Sequence, residues 1–133
     1  GKTTLGEALM APTRIYVKPL LKLLEKIPMH AAAHITGGGL PGNVPRVLPE
    51  KMRAVIDARA WKRPAIFDWL QEGGNVEELE MYRTFNCGIG MVLAVSANDA
   101  EAALKILQQA GETAFLIGHI EASADDNQVV ILK

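Results

Sequence analysis

Ile89-Gly90-Met91-Val92-Leu93-Ala94-Val95-Ser96-Ala97-Asn98-Asp99 decides the fold. The run from Ile89 to Val95 is almost continuously apolar. It predicts a strand covered on both faces, because a strand with one wet face alternates instead. Ser96 then predicts a helix start, with Asp99 three residues on in a box-like arrangement. Ala100, Ala103, Leu104, Leu107 and Ala110 share one face of that helix, and Gly111 stands where a C-cap glycine belongs. A buried strand feeding an amphipathic helix is an α/β signature.

On the N-terminal side, residues 16–27 predict an amphipathic helix, with Val17, Leu20, Leu21, Leu24 and Ile27 toward a core and Lys18, Lys22, Glu25 and Lys26 toward water. Pro19 fits only in its first turn, and Pro28 stops it. Residues 31–36 predict a short buried strand. After Gly37-Gly38-Gly39, a short helix is expected near Asn43, with Pro45 in its first turn. A strand is expected at 52–56. Helices are expected at 64–72, between Pro64 and Gly73-Gly74, and at 76–84. Further strands are expected at 113–117, 118–122 and 129–132, with Asp125-Asp126-Asn127 as the last turn. Residues 1–13 read as a lead-in. Helices lie between strands early and strands cluster late. That order predicts an α+β layered sandwich with a mixed sheet flanked by helices, over one domain, 1–133.

The 133 residues suit one domain with a real core, and 49% are hydrophobic. Aromatic residues are only 5%, so Ala, Val, Ile and Leu must fill that core. Fourteen basic against 15 acidic residues leave a net charge of -1, which gives no electrostatic basis for a nucleic-acid or anionic-membrane partner. One cysteine, Cys87, forms no internal disulfide and suits a reducing compartment. No apolar run approaches membrane-spanning length, and no basic-then-apolar signal opens the chain, so a cytoplasmic protein is expected.

Three stretches carry chemistry. In His34-Ile35-Thr36-Gly37-Gly38-Gly39-Leu40-Pro41-Gly42-Asn43 a strand ends, three glycines turn the backbone, and a helix start follows. Free N–H groups there suit an anion, typically phosphate. Thr36, Asn43 and Arg46 are candidate partners; the alternative is the same turn without a ligand. His30 and His34 have i, i+4 spacing, but on a strand and without an acidic or Cys neighbour they make a poor metal site. His34 alone is either a satisfied turn histidine or a ligand contact. Met81-Tyr82-Arg83-Thr84-Phe85-Asn86-Cys87-Gly88 leads into the most buried strand, where α/β sites gather. Asn86 is a candidate contact there. Cys87 has no adjacent base and reads as structural. Trp61 and Trp69 read as packing residues at helix edges, and Glu77, Glu78 and Glu80 as a solvated face. Gly1-Lys2-Thr3-Thr4 matches only the tail of a P-loop and reads as linker.

Leu9-Met10-Ala11-Pro12-Thr13-Arg14-Ile15-Tyr16-Val17-Lys18, then His34-Ile35-Thr36-Gly37-Gly38-Gly39 with Asn43-Val44-Pro45-Arg46-Val47-Leu48-Pro49, then Glu80-Met81-Tyr82-Arg83-Thr84-Phe85-Asn86-Cys87-Gly88-Ile89-Gly90-Met91 occur in this order. Together they resemble the C-terminal half of the aminoimidazole ribonucleotide synthetases, over essentially the whole chain. The resemblance implies a layered, partly ferredoxin-like fold and half of an active site. The other half, an N-terminal domain that forms the homodimer and carries most of the ATP-binding residues, is expected outside this sequence. The implied reaction is ATP-dependent closure of the imidazole ring of formylglycinamidine ribonucleotide in purine biosynthesis, with Mg2+ held largely by the nucleotide and the N-terminal domain. Thr36, Gly37, Gly38, Gly39 and Asn43 would hold a phosphate, His34 would donate to it or move a proton, and Arg83 and Asn86 would be further contacts. The fragment alone is expected to be inactive. Alternatives are a C-terminal domain of the related formylglycinamidine synthetase, thiamine-monophosphate kinase or selenophosphate synthetase type, or a stand-alone ligand-binding module.

Overall fold

The computed structural model describes residues 4–124 and 128–132. In chain order the elements are α1 (Leu5–Leu9), α2 (Val17–Leu24), β1 (Met29–His34), α3 (Gly39–Asn43), β2 (Met52–Asp57), α4 (Ala65–Gly74), α5 (Glu78–Thr84), β3 (Met91–Val95), α6 (Ala100–Gln109), β4 (Gly118–Ala122) and β5 (Val129–Leu132). The mixed α+β order expected from the sequence holds. Its strands form two sheets. β1 and β3 pair antiparallel, with His34 opposite Met91 and a register shift near His30. β2 is central in the other sheet, antiparallel to β4 and parallel to β5.

β3 shows why its sequence is continuously apolar. Val92 packs into a main core with Ala33, Ile35, Leu40, Ile56, Met81 and Ile89. Leu93 and Val95, pointing to the opposite face, pack with Leu23, Ile27, Ala103 and Ile106. Each face of the β1–β3 sheet therefore meets its own core, and α2 and α6 form the outer layer. Ala103 of α6 packs there against Leu23 of α2 and the following Ile27.

Several local expectations change. In α2 the buried stripe is Pro19, Leu23 and the following Ile27, while Val17, Leu21 and Leu24 are exposed. The helix carries apolar residues around most of its circumference, and α6 covers only one side. Pro19 does sit in the first turn, where its absent N–H has no partner to lose. The short helix starts at Gly39, before Asn43, and a 3-10 turn at Val44–Val47 takes Pro45. Ser96 does not cap through its side chain; its hydroxyl lies 3.1 Å from His30 Nε2, and a 3-10 turn, Ala97–Asp99, precedes α6. Residues 113–117 form no strand: Phe115 and Leu116 are exposed, and Ile117 O accepts from Asp57 N–H at the edge where β4 begins. The lead-in contains a helical turn, α1, set by a reciprocal box in which Thr4 Oγ1 accepts from Glu7 N–H and Glu7 accepts from Thr4 N–H. Trp69 is exposed, unlike buried Trp61. The expected turn at 125–127 lies outside the described residues.

Candidate functional site

The glycine turn and the 81–91 segment meet at one end of the β1–β3 sheet. Ile35 N–H donates to Gly90 O at 2.9 Å, extending the pairing of His34 with Met91. β1 then ends in Thr36 and the glycines. Gly38 and Gly39 take positive φ, 95° and 57°. A Cβ on Gly39 would lie 1.9 Å from Tyr82 O and 2.7 Å from Phe85 O, so the turn is pressed onto the C-terminal end of α5. Glycine is required there for closeness as well as for φ. Gly37 is exposed and faces open space.

Asn43 holds this turn from inside. It is 5% exposed, and its Nδ2 donates to Gly39 O at 2.8 Å and Gly37 O at 3.2 Å, with Thr36 O at 3.4 Å. Two amide hydrogens serve the first two carbonyls well and the third only weakly. Thr36 Oγ1 is 3.5 Å from Asn43 Oδ1, a long contact that leaves the hydroxyl open to a better partner. Gly39 N–H and Gly42 N–H are taken within the turn, by Thr36 O and Gly38 O. At five residues, α3 has a small dipole, so anion attraction must come from individual N–H groups and neighbouring cations.

His34, at the end of β1, is exposed, and its ring meets Tyr16 edge-on at 6.0 Å between centroids. Arg83 lies in the α5 turn that Gly39 touches, exposed and 3.7 Å from Glu80. Asn86 spends its Oδ1 on Gly88 N–H at 3.0 Å, a local turn bond. Arg46 is exposed on the 3-10 turn after α3.

Cys87 lies behind this surface. It is fully buried, its Sγ donates to Met81 O at 3.4 Å, and its carbonyl accepts from Trp61 Nε1 at 3.0 Å. Burial pushes the thiol up to about 11, against the pull of the Arg63 guanidinium. Such a thiol is protonated at neutral pH and is a poor nucleophile. Arg63 pairs with Asp68 and Gln71, and its Nη1 is buried without a partner among the described residues.

Sequence reasoning named the two motifs without seeing that they touch. The sequence gives Tyr16 only as part of the Leu9–Lys18 motif and does not single out Arg63; the ring contact of Tyr16 with His34 joins segments far apart in the chain. A cavity of about 390 Å³ between the sheets is lined mainly by apolar residues such as Val44, Ala54, Ile56 and Val92, and the glycine turn does not line it. Among the described residues no three His, Cys, Asp or Glu side chains gather to hold a metal ion. No helix among them is long and apolar enough to cross a membrane.

Comparison with known proteins assigns the family. The chain is similar to a phosphoribosylformylglycinamidine cyclo-ligase of Nitrosococcus oceani, 61% identical over 127 residues, which are 96% of this chain and 36% of that protein. It thus spans little more than a third of that relative's length. The family model matching residues 1–131 is described as AIR synthase related protein, C-terminal domain, and the chain belongs to that family.

Proposed function

We propose that this chain is the C-terminal part of an ATP-dependent cyclo-ligase that converts formylglycinamidine ribonucleotide to aminoimidazole ribonucleotide in purine biosynthesis. The observation that carries this reading is the junction of the glycine turn with the end of α5, in a chain so similar to a cyclo-ligase. In the proposed reaction ATP phosphorylates the formyl oxygen, an amidine nitrogen bonds to the same carbon, and the carbon–oxygen bond breaks. The products are the closed ring, ADP, phosphate and a proton. Such chemistry asks the protein mainly to position reactants and neutralise phosphate charge.

Each residue then has a physical role. Gly37 and Gly38 let a phosphate of substrate or nucleotide approach the main chain, and the Thr36 hydroxyl donates to it. Gly39 and Asn43 shape the turn and act through it, since the Asn43 amide is already engaged. His34 and Arg83 are exposed at the rim and supply cationic or donor groups to the anion. Asn86 sets the turn into Gly88, with its amide nitrogen available to a ligand. ATP and Mg2+ are held mainly by an N-terminal domain of the same polypeptide, which also forms the homodimer, in the cytoplasm. Among the described residues no three His, Cys, Asp or Glu side chains gather to hold the metal.

The test is turnover. The intact natural protein should form aminoimidazole ribonucleotide from formylglycinamidine ribonucleotide, ATP and Mg2+, and the purified 133-residue chain should not. Turnover by the chain alone, clear of host enzyme, would overturn the division of the active site.

A further inference from the structure

We propose that Tyr16 is a positioning residue for the glycine-turn site, its ring buttressing the His34 imidazole while its hydroxyl is lodged over Gly90. The inference rests on the reading that this turn carries a phosphate. Its basis is a meeting of three segments that are far apart in sequence. The Tyr16 and His34 rings stand edge to face, with centroids 6.0 Å apart and planes at 71°. A Cβ on Gly90 would lie 1.9 Å from the Tyr16 hydroxyl oxygen and 3.0 Å from Cζ, so the phenol lies directly on that backbone. The same Gly90 accepts the Ile35 N–H through its carbonyl. One glycine thus holds both the strand carrying His34 and the ring packed against His34.

Tyr16 is itself tied down. Its carbonyl accepts the Leu20 N–H at the start of α2. Two residues earlier, Arg14 Nε meets Glu112 Oε2 at 2.7 Å and Arg14 Nη2 donates to Gly111 O at 2.8 Å, strapping the lead-in to the end of α6. Burial, with Glu112 adding and Arg14 opposing, raises the phenol's pKa above its usual value. A phenol that stays neutral is suited to packing rather than to moving protons. An exposed histidine at a strand end otherwise samples several rotamers. Holding one of them in advance removes an ordering cost worth about fivefold in ligand affinity.

The experiment uses the intact natural protein with ¹³C-labelled histidine, the His34 ring signal being identified by its loss in His34→Gln. Formylglycinamidine ribonucleotide is the probe. Tyr16→Ala should shift the free-state His34 signal, by loss of the tyrosine ring current, and weaken binding of the probe at least fivefold. Tyr16→Phe keeps the ring and should stay within twofold of the parent in both readouts. Should Tyr16→Ala fail to fold, Tyr16→Leu takes its place, with the same expectation. An unmoved His34 signal, or parent-like binding in the Ala or Leu variant, overturns the proposal. So does a Phe variant as weak as Ala, which would assign the effect to the hydroxyl. A parent protein that does not bind the probe at all sinks the phosphate reading, and the free-state His34 signal still decides whether Tyr16 fixes the ring.

Discussion

A methyl group on Gly39 would sit 1.9 Å from the carbonyl oxygen of Tyr82. No side-chain rotation relieves that contact, because the opposing atom is backbone in the last turn of α5. The φ of 57° adds a strain of about 1–2 kcal/mol for any residue with a Cβ. Gly39→Ala should therefore cost at least about 3 kcal/mol in urea unfolding, through clash and strain together. Gly37, two residues earlier, faces open space at an ordinary φ. Gly37→Val should change stability by no more than about 0.5 kcal/mol and yet weaken binding of a phosphate-bearing ligand at least about tenfold. Parent-like binding by a folded Gly37→Val protein would show that the turn is only a turn.

Cys87 gives a second expectation. Its thiol is buried and held near 11, so the thiolate is scarce at neutral pH. Iodoacetamide should leave Cys87 unlabelled in the folded protein and label it in urea. Cys87→Ala in the intact protein should keep at least a tenth of the parent rate, a barrier change under about 1.4 kcal/mol. A thousandfold loss with folding intact would reveal a thiol role.

The same thiol makes stability depend on pH. Its folded value is raised above the unfolded one, so the folded state holds the proton more tightly. The stability it contributes is complete below the unfolded value of about 9 and is lost as pH rises through about 11. Across that window the parent's urea midpoint should fall more steeply than that of Cys87→Ala. The difference in unfolding free energy should reach on the order of 2–3 kcal/mol. Parallel curves would mean that the thiol is less buried than the structure shows.

How much of this was legible in the sequence follows from what is local. The β3–α6 unit was readable because a continuous apolar run, a 3.6-residue period and Gly111 are all short-range signals. α4 was readable between Pro64 and its glycines. The lead-in turn carried a local signal that the linker reading passed over: Thr4 and Glu7 make a capping box, and Leu5, Ala8 and Leu9 follow at helical spacing, but over only five residues. Other features depend on distant partners. Which side of α2 is buried depends on where α6 lies. Residues 113–117 are apolar enough for a strand, yet gain no ladder partner until Ile117. The glycine turn was legible as a motif. That Gly39 leans on Tyr82, and that Asn43 faces inward, required the fold.

Asn43 supplies the sharpest remaining test, because substituting its amide separates hydrogen bonding from shape. Its Nδ2 group donates to Gly39 O and Gly37 O from a site only 5% exposed. Asn43→Ala would leave those carbonyls short of a donor at about 1–3 kcal/mol. Asn43→Asp keeps the shape, but at neutral pH it turns carboxylate oxygens toward carbonyl oxygens in a dry place. That costs more than the loss of the amide alone. The buried carboxyl's pKa would be raised in the folded state, so the stability gained from its proton is present at low pH and lost as pH rises through the folded value. Protonated, it also regains one donor. In urea unfolding at pH 7.5, Asn43→Asp should therefore be less stable than Asn43→Ala. The gap should narrow or reverse at pH 5, since the Ala variant has nothing to titrate at this position. Asp tolerated as well as Asn at pH 7.5 would mean that the amide is not holding the turn. The proposed phosphate site would then have to be built by the glycines and Thr36 alone.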